Sequence, residues 1–161
     1  MRLDESISVS APRQLVWNYL TDPGNYLEFI DGLTRWESED GGNGEMGPGA
    51  RFRMLLRVGS AEVGGLIEIV EWDPPGDFAW NSVTGIDQRG RWRLRELSPR
   101  STRVTLRFHY GVAGSGLSGL LAERVAARPL RRRLRRSLQN VRRAIEVGGP
   151  QSSSRRQRAS A

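Results

Sequence analysis

The chain has no cysteine, no lysine and a single histidine. Without cysteine there are no disulfides, thiolate nucleophiles or Cys-ligated metals. All 25 side chains of the Lys-plus-Arg count are arginine. That bias reflects GC-rich coding, since both residue types serve on surfaces despite their different chemistry. No apolar run approaches the ~18 residues of a membrane span. The start, Met1-Arg2-Leu3-Asp4-Glu5, lacks the apolar centre of a secretory signal. Nothing addresses the chain elsewhere, so its expected place is the cytoplasm. A length of 161 residues suits one domain with a sizeable core.

The charge that is present lies unevenly. Residues 1–116 hold 13 Arg against 16 acids, and residues 117–147 hold 9 Arg against 2. Three further Arg follow in 148–161, so the net +7 belongs to the C-terminal end of a mildly acidic body.

Periodicity organises the rest. Residues 5–10 alternate, with Ile7 and Val9 on one side and serines on the other, as a strand does. Pro12 suits the first turn of a helix on which Leu15, Val16, Tyr19 and Leu20 share a face. Asp22 followed by Pro23 predicts a second short helix over 23–30. Strands are expected over 33–40, 51–58, 61–72, 78–84, 86–97 and 102–110. The 51–58 strand sets Phe52, Met54, Leu56 and Val58 against Arg51, Arg53 and Arg57. In 86–97, Gln88, Gly90, Trp92 and Leu94 oppose Arg89, Arg91, Arg93 and Arg95. In the last strand Val104, Leu106, Phe108 and Tyr110 oppose Arg103, Thr105, Arg107 and His109. Such alternation marks an antiparallel sheet with one covered and one wet face.

Residues 116–147 read as a long helix with Leu130, Leu134, Leu138, Val141 and Ile145 on one stripe. Pro129 interrupts it, and the earlier stripe of Leu117, Leu121 and Val125 is out of phase, so a kink is expected there. Beyond it, residues 148–161 read as a disordered basic tail. The fold class is therefore α+β: a seven-stranded curved antiparallel sheet, two short helices after strand 1, and a long C-terminal helix covering the apolar face. A straight helix cannot fill a strongly curved sheet. The expected result is a gap lined by Phe, Trp, Met and Leu.

Several stretches carry a resemblance: "ISVSAPRQLVWNYLTDPGNYLEF" at the start, "GPGARFR", "IEIVEWDPPGDFAW", "GRWRLREL", "STRVTLRFHY" and the closing "PLRRRLRRSLQNVRRAIE". Over residues 3–147 the chain resembles the helix-grip (SRPBCC, START-like) superfamily. That superfamily includes birch-pollen-allergen-like proteins, START lipid-transfer domains and bacterial polyketide cyclase/dehydrase and lipid-transport proteins. The resemblance implies a helix-grip ligand-binding domain over 1–147.

Parity alone makes Phe52, Met54, Leu56, Phe78, Trp80, Trp92, Leu94, Leu106, Phe108 and Tyr110 a close-packed core. The resemblance implies instead that they line a ligand pocket, with Gln88 and Tyr110 as polar groups that orient the ligand. It also places the pocket's mouth near Tyr26, Phe29, Leu117 and Leu121, beside the glycine-rich loop 40–50. Motion of 113–128 against the better-anchored 130–146 is then the expected route of access.

The remaining motifs read more plainly. The loop 40–50 lacks the phosphate-cradling pattern and leads into a strand, so it is a connection. His109 falls on the wet face, and no catalytic triad or metal cluster assembles around it. The arginines of 131–136 and 142–143 form a solvated helix face, with weak contact to an anionic membrane surface as the sharper alternative. No stacking aromatics interleave them, which argues against sequence-specific nucleic-acid binding.

The leading function is binding or transport of a hydrophobic small molecule, lipid or polyketide-like, without cofactor or metal. The alternative is a polyketide aromatase/cyclase-type enzyme acting in the same cavity. Relatives of that type use pocket Arg, Tyr or Asn, whereas here the strand arginines point outward. Only Tyr110, Gln88 and Arg124 remain as inward candidates, so the reading leans away from catalysis.

Overall fold

The computed structural model describes residues 2–41, 44–111 and 117–148, the side chains of the last segment from residue 128 onward. Strand β1 (Arg2–Val9) is followed by helix α1 (Arg13–Leu20), a 3-10 turn (Pro23–Asn25) and the single helical turn α2 (Tyr26–Phe29). Strands β2 (Leu33–Ser38), β3 (Arg51–Val58), β4 (Ala61–Asp73), β5 (Asp77–Ser82), β6 (Gln88–Ser98) and β7 (Ser101–Tyr110) come next. Helix α3 (Leu117–Gly148) closes the order.

All seven strands form one curled sheet in the order β1-β7-β6-β5-β4-β3-β2. Every neighbouring pair is antiparallel, and β1 returns to pair with β7 from Arg2↔His109 to Val9↔Thr102. This is the helix-grip α+β fold. The alternation of β6 is kept residue by residue: Gln88, Gly90, Trp92 and Leu94 are buried, and none of the intervening arginines is. His109 is exposed, on the face its parity demanded.

Three expectations change in detail. The helix expected over 23–30 is a 3-10 turn running into one α-turn. Asp22 accepts from the Gly24 amide at 2.8 Å and starts the tighter turn. On α1 the buried side chains are Val16, Trp17 and Leu20, while Leu15 is 40% exposed. The helix is only two turns long, and Trp17 turns it toward Trp72 and Phe78, at centroid distances of 5.0 and 5.6 Å. Val58, at the end of β3, is exposed because nothing covers that strand end.

The short helices are thus aromatic pegs. While α1 docks Trp17 against β4 and β5, α2 stacks Tyr26 on Trp36 of β2 (4.1 Å), which stacks on Phe52 of β3 (4.7 Å). Between the pegs sits Phe29, fully buried against Tyr19, Tyr26 and Trp92.

Helix α3 runs along β1. Its stripe is buried at Leu134, Leu138, Val141 and Ile145, with Leu130 half-buried. Arg131 and Arg135 both reach the nearly buried Glu5 carboxylate, at 3.5 and 2.9 Å, and Glu146 accepts from the Ser10 amide at 2.8 Å. Part of the arginine face is therefore grip, not solvated surface. Pro129 lies inside the continuous helix. The tail from 149 on, and most of the access segment 113–128, fall outside the described residues or side chains.

Candidate functional site

Between the concave face of the sheet and α3 lies a cavity of about 70 Å3. Strands β3 to β7 supply Met54, Leu56, Ile67, Ile69, Phe78, Trp80, Gln88, Trp92, Leu106 and Phe108. Around the α2–β2 connection, Tyr26, Ile30, Asp31, Leu33 and Trp36 close one end, and Leu130, Arg133, Leu134 and Ser137 of α3 form the roof. Strand parity aims the sheet residues inward, and the helix stripe completes the wall.

The structure sorts the expected residues. It brings Tyr26, Met54, Leu56, Phe78, Trp80, Gln88, Trp92, Leu106 and Phe108 to the cavity. Phe29, Phe52 and Leu94 are buried in the packing behind it and do not line it. Tyr110 is half-buried beside Phe108 and borders a shallow depression with Asp87, Arg89 and His109. It sits at the end of β7. The side chains of Leu117, Leu121 and Arg124 lie outside the described set.

Sequence reasoning missed Trp36, Ile67, Ile69 and Arg133. A register shift between Leu33 and Arg35 disturbs the simple alternation of β2, and in β4 Leu66 is buried beside Ile67 and Ile69. For Arg133 a signal existed: at ~100° per residue it lies about 60° from Leu130, on the flank of the apolar stripe.

The polar chemistry of this wall is unusual. The indole nitrogens of Trp36, Trp80 and Trp92 are all buried and have no hydrogen-bond partner. A buried donor left unpaired costs about 1–3 kcal/mol, and three such donors belong to residues that line one cavity. Gln88, 3% exposed, donates from Nε2 to the Met54 sulfur at 3.4 Å. The Tyr26 hydroxyl donates to the Met46 sulfur at 3.6 Å. Burial pushes the Tyr26 phenol far above the ordinary tyrosine range, and Tyr19 nearby up to about 12, through burial and then the charges of Glu28 and Asp22. Tyr26 is therefore a protonated donor at neutral pH and not a base.

A second depression, about 350 Å3, lies on the opposite sheet face among Arg89, Arg91, Arg107, His109 and Glu71. It is a groove between charged side chains, and two of its cations are already taken: Arg91 by Glu71 and Arg107 by Asp4. Among the described residues no group of three carboxylates or histidines converges as a metal site would require. No described helix is long and apolar enough to cross a membrane.

A family model described as polyketide cyclase / dehydrase and lipid transport matches residues 1–146. The chain belongs to this family. No curated protein matches it in sequence. Solved structures similar to this polyketide cyclase/dehydrase and lipid-transport family member share its fold. The Thermus thermophilus protein TTHA0849 has a TM-score of 0.78 at 17% identity, covering 92% of this chain and 99% of its own. The Zhui aromatase/cyclase of a Streptomyces species has a TM-score of 0.73 at 21% identity, covering 92% and 98%. The Deinococcus radiodurans protein DR_A0006 has a TM-score of 0.65 at 20% identity, covering 92% and 100%.

Proposed function

We propose that this family member binds or carries a hydrophobic small molecule that presents hydrogen-bond acceptors, held between α3 and the concave sheet. One observation carries the reading: an apolar cavity lined by three tryptophans, whose indole N–H groups are buried and unpartnered. Apolar burial at about 25 cal/mol per Å2 supplies affinity, and carbonyl or similar oxygens meeting the indoles supply orientation.

The cavity is far below the ~300 Å3 at which pockets accommodate drug-sized ligands. Admitting such a molecule requires the wall to move. Met54, an adaptable thioether, and the half-buried Leu56 and Leu130 are the side chains with freedom to do so. Binding is favoured over catalysis because the sole histidine lies on the opposite face. The cyclase-type reading is supported by the likeness to the Zhui aromatase/cyclase, which bears on fold. The exposed Arg132, Arg142 and Arg143 of α3 suit weak contact with an anionic membrane surface, a contact that raised salt should abolish.

The test is a tryptophan-fluorescence titration with nonanone and with nonane. The ketone should bind more tightly, and Trp36→Phe should reduce the preference. That variant keeps the ring stack and removes an orphan donor, so stability should change by less than about 1 kcal/mol. Equal binding of ketone and alkane by the parent protein would contradict the role given to the indoles.

A further inference from the structure

We infer that the molecule taken into this cavity is an amphipathic carboxylate, its charged end seated on the guanidinium of Arg133. The inference rests on the cavity being the binding site, as proposed above, and adds the chemical class of the ligand.

Arg133 is the only arginine of the cavity lining among the described residues. Of its neighbours on α3, Arg131 and Arg135 are engaged with Glu5 and Arg136 with Asp31 at 3.8 Å, while Arg132 is exposed and does not line the cavity. Ser137, next to it in the wall, donates to the Arg133 carbonyl and accepts from the Asp31 amide, both at 2.9 Å. Arg133 itself, half-buried, has no carboxylate within salt-bridge distance among the described residues. It presents a planar fork of donors that a carboxylate matches with two parallel hydrogen bonds.

The guanidinium packs against the turn between α2 and β2. Gly32, between α2 and β2, has φ +82°, and a Cβ there would lie 2.6 Å from Nη1 of Arg133. Any larger residue would strain the turn through its positive φ and displace the guanidinium from this position. The charge of the ligand is limited by the same wall. Asp31 also lines this end and opposes a second negative charge, so one carboxylate fits better than a dianionic phosphate. The chain or ring behind the carboxylate then extends over Leu130 and Leu134 toward Trp36 and Trp92.

Calorimetric titration of the full chain with octanoate and with octanol separates this inference from the reading it rests on. The parent should bind octanoate about tenfold more tightly than octanol. Arg133→Met should lose that preference, its octanoate affinity falling to that of its own octanol binding. Arg133→Lys, which keeps the charge without the fork, should regain part of it, and thermal melts would verify that both variants fold. Octanol binding with no preference for octanoate, or a preference that survives in Arg133→Met, would overturn the carboxylate inference and leave the cavity reading standing. If the parent bound neither probe, the cavity reading would fall and the inference with it.

Discussion

Phe29→Ala should cost about 3–5 kcal/mol, the range for removing a large aromatic side chain from a packed interior. In a chain of this size that is roughly 10 °C or more of melting temperature. The reason is position. Phe29 is 0% exposed and touches Tyr19 from α1, Tyr26 from its own turn and Trp92 from the centre of the sheet. Its carbonyl also accepts from Asn140 of α3 at 3.3 Å. A turn of four residues has no stability of its own, so α2 persists because this ring pins it. Loss of the ring should loosen Tyr26 and Ile30, and with them one end of the cavity. A thermal melt of the variant within about 2 °C of the parent would show that Phe29 is not the pin.

Gly90→Val should both destabilise the fold and close the cavity. Gly90 pairs with Trp80 across β5 and β6, and a Cβ at position 90 would lie 1.9 Å from Cζ2 of the Trp80 indole. The ring lies flat over the glycine. A substituent there must push the indole aside, and Trp80 is part of the cavity wall. The overpacking should cost about 1–3 kcal/mol. Binding of an apolar ketone should be lost at a temperature where the variant is still folded. Retained binding, with unchanged tryptophan emission, would show that Trp80 does not shape the site.

These two positions illustrate what the sequence made legible. The period of two over β6 and β7 set the wet and covered faces, and hence which of Trp92, Leu106, Phe108 and His109 could face α3. The helical stripe from Leu130 to Ile145 named the covering element. Depth was less accessible. Phe52, Leu94 and Trp92 share one parity with Met54 and Phe108, and only the sheet's curl decides which of them meet open space. A register shift hid the inward turn of Trp36, and in β4 the burial of Leu66 beside Ile67 and Ile69 blurs the alternation. Arg133 was read as surface because it sits in an arginine run, although its helical angle placed it beside the apolar stripe. Charge composition describes a segment, whereas a site depends on the member of the run that lines the cavity and has no carboxylate partner.

Native mass spectrometry of the protein purified from its own host tests the central claim most directly. The account predicts a species heavier than the 18.0 kDa chain, carrying a lipophilic adduct that leaves when the protein is denatured. A folded protein of bare mass that also takes up neither nonanone nor octanoate would contradict it.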